Sequence, residues 1–118
     1  MSDEIDALID RASTANKDDA LLEDIKSMMA RLLEGKRETL TYWDKSCFAS
    51  ALHGLRPYIG SGLTPNKAWL APSLAALKML FVPEDKRSDQ IVAKESIDTL
   101  TFEQIMGDIR RLGEHRGV

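Results

Sequence analysis

The chain has 118 residues, with 16 Lys and Arg against 19 Asp and Glu for a net charge of −3, and a single cysteine. A chain of this length makes about one domain, able to bury roughly 65% of the surface its unfolded form exposes, so it folds without a metal or a disulfide. Cys47 alone excludes an intrachain disulfide and a cysteine-rich metal site, and it favours a reducing compartment.

Apolar residues recur at helical spacing nearly throughout, with no period-2 stretch and no Asn-Gly or Asp-Gly turn, which predicts an all-α, compact single-domain bundle of five to six helices spanning 1–118. Residues 1–4 are expected to be disordered. In the first helix Ile5, Leu8, Ile9 and Ala12 make one apolar face that fades by Ser13 and Thr14. Residues 1–24 hold eight acids against Arg11 and Lys17, and this acidic start is expected either as a solvated arm or lying against a basic region elsewhere.

The second helix is predicted over Lys17 to Glu34, with Asn16 as N-cap and Gly35 closing it in the left-handed conformation. Leu21, Leu22, Ile25, Met28, Met29, Leu32 and Leu33 share an arc of about 140°, a core-facing stripe. If other helices fail to cover it, the Met28-Met29 pair is a natural subunit contact.

Thr41 and Asp44 make a capping-box pattern for a third helix reaching about Arg56, before Pro57. One side of its wheel carries Leu40, Trp43, Cys47, Phe48, Ala51, Leu52 and Leu55; the other carries Tyr42, Lys45, Ser46, His53 and Arg56. After the turn at 60–64, Thr64-Pro65 signals a new helix start, and Pro72 implies a kink or a short turn before a helix over 72–82. Leu70, Leu74, Leu77, Leu80 and Phe81 are its expected core residues.

Pro83 to Ser88 is the most polar stretch and reads as a mobile connection, followed by a segment over 89–99 in which Ile91-Val92 leaves helix and strand both open. The last helix is specified by a Thr101/Gln104 capping box and a Leu100/Ile105 staple, with Phe102, Ile105, Ile109 and Leu112 as its buried line and Gly113 at its end.

From Lys45 to Pro83 there is no Asp or Glu, although Lys45, His53, Arg56, Lys67 and Lys78 all stand there. Tyr42, Lys45, His53, Arg56 and Lys67, around the turn at 60–64 and the helix start beyond it, form the candidate site for an anionic small molecule or nucleotide. The competing reading is an ordinary solvated face.

No metal or other cofactor is expected. The two histidines, His53 and His115, have no ligand spacing between them, and Cys47 falls on an apolar face. The usual enzyme signatures are absent, so the chain is expected not to be an enzyme. Nucleic acid is not an expected partner either: Arg110, Arg111 and Arg116 on the last helix are offset by Glu103, Asp108 and Glu114, and the pI is about 5.4. A DNA-binding regulator ranks third.

A membrane is excluded by the same means, because Trp69 to Val82, the most apolar stretch, is shorter than the roughly 20 residues a span needs. The acids at Asp3, Glu4 and Asp6 stand where a secretory signal carries bases, so the expected location is cytoplasmic. The leading expectation is a small regulatory protein acting through protein-protein contacts as a homodimer, with the second helix or the Trp69 to Phe81 segment in the interface. The alternative is the anion binder.

Overall fold

The structure, a computed structural model, describes residues 2–14, 20–56, 70–86, 97 and 99–112. Among them stand five α-helices and no β-strand: α1 (Ser2–Ser13), α2 (Leu21–Glu34), α3 (Tyr42–Gly54), α4 (Leu70–Lys78) and α5 (Phe102–Arg110). Each helix has one apolar face because its apolar residues fall three and four apart, and such faces must be covered by one another. The solution is a closed ring in which α3 packs on α4, α4 on α1, α1 on α2, α2 on α5 and α5 back on α3. The radius of gyration is 14.1 Å, close to the roughly 13.5 Å expected of one compact domain of this length.

α1 begins at Ser2, inside the segment expected to be disordered, and buries Ile5, Leu8 and Ala12. Its acids are not a free arm. Glu4 pairs with Arg31 of α2, Asp6 reaches Lys78 of α4 at 2.8 Å, and Asp24 of α2 returns the pattern by holding Arg11 at 2.7 Å.

α2 buries Leu21, Ile25, Met28, Met29 and Leu33 and half-buries Leu22 and Leu32, and the methionine pair is spent inside the chain, since Met28 and Met29 are 1% and 0% exposed. They are therefore unavailable as a subunit contact. Residues 15–19, where the Asn16 cap was placed, lie outside the described residues. Gly35 does end the helix, but at φ −65°, an ordinary right-handed conformation; the chain runs on through successive turns rather than reversing at a left-handed glycine. Just beyond, Arg37 forks onto Glu34, holding that carboxyl below its usual range, and lies over the Phe102 ring at 4.1 Å.

α3 opens with the expected capping box: Thr41 Oγ1 accepts from the Asp44 N–H and Asp44 Oδ2 from the Thr41 N–H, both at 3.1 Å. Asp44 is 2% exposed, and its second oxygen lies 3.3 Å from Lys36 Nζ. α3 and α4 cross where Gly54 meets Ser73.

α4 is described from Leu70, so the helix already runs at Pro72, the residue at which it was expected to start. At Met79–Phe81 the helix tightens into a 3-10 turn. Residues three apart eclipse in such a turn, so Leu80 follows Leu77 into the core while Phe81, expected inside, rotates out and is 37% exposed. Glu84–Lys86 winds into a further 3-10 turn within the polar stretch. In α5, Ile105, Met106, Ile109 and then Leu112 are buried, and Phe102 is half-buried.

Candidate functional site

Where α3 closes the ring against α5, two helical rows face each other. Ala49, Leu52 and His53 stand on α3 with Arg56 just past its end, at i, i+3, i+4 and i+7, and Ile105 and Asp108 stand on α5 with Arg111 at its C-cap, at steps of three. With Leu100, which precedes the Thr101 cap, they line a cleft of about 730 Å³. That volume is within the roughly 300–1,000 Å³ range of small-molecule sites. Leu52 and Ile105 are buried and form the floor; His53, Arg56 and Arg111 are exposed and form the lip.

The cations at this lip differ in their partners. Arg111 donates to Asp108 one turn back on its own helix. Arg11, Arg31 and Arg37 elsewhere also each hold a carboxylate. Arg56 does not: among the described residues no carboxylate pairs with it or with His53. Guanidinium groups donate a forked pair of hydrogen bonds to carboxylate or phosphate oxygens, so an open Arg56 beside an apolar floor can hold the head of an anion whose body lies in the cleft.

Of the residues selected from the sequence, His53 and Arg56 come together here. Tyr42 and Lys45 do not join them: they stand in the first turn of α3, and Lys45 is about 12 Å from His53 along the helix axis. A wheel sorts residues by angle and is blind to this axial separation. Lys67 and the turn at 60–64 lie outside the described residues. Lys78, the last cation of the acid-free stretch, is answered by Asp6. Arg111 and Asp108 complete the cleft and were not selected; their i, i+3 spacing is visible in the sequence, but only the packing of α5 on α3 brings them to His53.

Among the described residues no group of three His, Cys, Asp or Glu side chains is placed to hold a metal, and no helix is long and apolar enough to cross a membrane. On α5, Arg110 is exposed and Arg111 is tied to Asp108, which shortens the basic face considered for DNA; Arg116 lies outside the described residues. Compared with known protein families, curated proteins and solved structures, the chain has no significant match.

Proposed function

We propose that this protein is a non-enzymatic binder of a small anionic ligand, seated between α3 and α5 with Arg56 and Arg111 at the head and Leu52 and Ile105 beneath. The observation that carries this reading is Arg56, an arginine without a carboxylate partner among the described residues, on the lip of a cleft with an apolar floor. No described carboxylate pairs with its charge, and long-range attraction of anions is what such a charge does well. The test is a thermal-shift screen against small anions. A ligand specific for the native state adds about 2.7 kcal/mol at 100 times its dissociation constant. Joint replacement of Arg56 and Arg111 by Ala is expected to abolish the shift and to leave the helical circular dichroism intact. A shift that survives this replacement places the ligand elsewhere.

A second reading, a regulatory protein that acts as a homodimer, is favoured by the ridge after α4. Met79 is 44% and Phe81 37% exposed, beside Trp43, whose indole N–H donates to the Met79 carbonyl at 2.8 Å. This ridge belongs to the Trp69 to Phe81 segment; on α2 the Met28-Met29 pair is buried, and Leu22 and Leu32 are half-buried. Light scattering at micromolar concentration is expected to give twice the chain mass, reduced to one by Met79→Ser with Phe81→Ser. A monomeric mass for the unaltered chain removes the homodimer.

A further inference from the structure

The charges and walls of the cleft restrict what its ligand can be. Two guanidinium groups, Arg56 and Arg111, stand in the described lining with one carboxylate, Asp108, and these three groups together carry one net positive charge. Arg111 is already occupied by Asp108, so an incoming anion has one fully open guanidinium, Arg56, with His53 one turn before it on the same row of α3. A single negative charge matches this lining. A polyphosphate does not, because each further charge brought against an apolar floor without a partner costs its hydration, and the Asp108 carboxylate in the same lining repels it. The other walls are Ala49, Leu52, Leu100 and Ile105, all aliphatic, and no aromatic ring among the described residues lines the cleft for a nucleobase to stack on.

Resting on the cleft reading above, we infer that the ligand is an amphipathic monocarboxylate: a free organic acid whose carboxylate forks onto Arg56 and whose aliphatic or aryl body lies along the part-exposed Ala49 and Leu100, above the closed floor of Leu52 and Ile105. Head and body are both required. The head alone gains little from one exposed arginine in water, and the body alone leaves Arg56 unanswered. Asp108 sets the selectivity, because it neutralises the second guanidinium and repels a second negative charge.

Isothermal titration calorimetry with octanoate and 2-naphthoate, beside acetate, octanol, inorganic phosphate and ATP, tests this. Octanoate and naphthoate are expected to bind, with acetate and octanol weaker by about tenfold or more, and with phosphate and ATP no better than acetate. Arg56→Met is expected to lose about tenfold in octanoate affinity with unchanged circular dichroism. Asp108→Asn, which leaves two uncompensated guanidinium groups, is expected to admit phosphate. If phosphate or ATP binds more tightly than octanoate and Arg56→Met abolishes it, the cleft holds an anion but the monocarboxylate is wrong. Octanoate binding that Arg56→Met leaves unchanged is adhesion to apolar surface, and it overturns the inference. If none of the six probes binds, the anion-binding reading falls with it.

Discussion

At the scale of single residues, the crossing of α3 and α4 depends on an atom that is missing. A Cβ built on Gly54 would meet Ser73 Oγ at 2.3 Å, closer than any real contact, while Ser73 Cβ would be at an ordinary 3.6 Å. Ser73 is 3% exposed, and among the described residues its hydroxyl has no hydrogen-bond partner. Gly54→Ala is therefore expected to cost about 1–3 kcal/mol through overpacking. Ser73→Ala is expected to be neutral or stabilising, because it removes a buried hydroxyl that makes no bond. The two changes are not additive. With the hydroxyl gone the new methyl has room, so the double variant is expected to recover most of the loss, and urea denaturation of the four proteins measures this coupling. Additive losses would show that the glycine matters for something other than its distance from Ser73. Gly35 is a useful contrast: at φ −65°, with nothing nearer than 3.5 Å to a built Cβ, it has neither a conformational nor a packing requirement to be glycine.

Helices were legible where a local signal and the packing agree. Thr41 with Asp44 and Thr101 with Gln104 each close a capping box in the structure as their spacing predicts, since a cap is a contact between residues three apart and needs no tertiary information. Asp44 adds something spacing did not show, namely Lys36 at 3.3 Å from its buried oxygen. Asp44→Ala is expected to cost about 1–2 kcal/mol, the range of a lost N-cap, and to fray the start of α3, visible as faster amide exchange at Asp44 and Lys45. Unchanged exchange there would mean that packing of Phe48 and Ala51 holds the helix start without the cap. Phe81 was misplaced because a period of 3.6 was carried through residues that wind at 3.0. The cleft was only half legible, since His53 and Arg56 share a row along α3 whereas Asp108 and Arg111 reach it through a tertiary contact.

For the molecule as a whole, the uneven charge of the sequence raises the question of what holds α1 in the ring. Among the described residues three cross-helix ion pairs join it to its neighbours: Glu4 to Arg31, Asp6 to Lys78 and Arg11 to Asp24. All six side chains are a third or more exposed, and ion pairs in that setting contribute little and are screened by salt. Beneath them Ile5 is fully buried, with Leu8 and Ala12 beside it in the shared core. Truncating a buried Ile to Ala costs about 2–5 kcal/mol, so burial rather than charge should decide the docking. Ile5→Ala is accordingly expected to lower the melting temperature markedly. Raising salt to about 1 M, where the Debye length is about 3 Å, is expected to change it much less. Joint replacement of Glu4 and Asp6 by Gln and Asn should likewise have a small effect. If salt or that charge removal destabilises the protein more than Ile5→Ala does, electrostatic attraction between the acid-rich start and its basic neighbours holds the ring closed, and the apolar row of α1 is secondary.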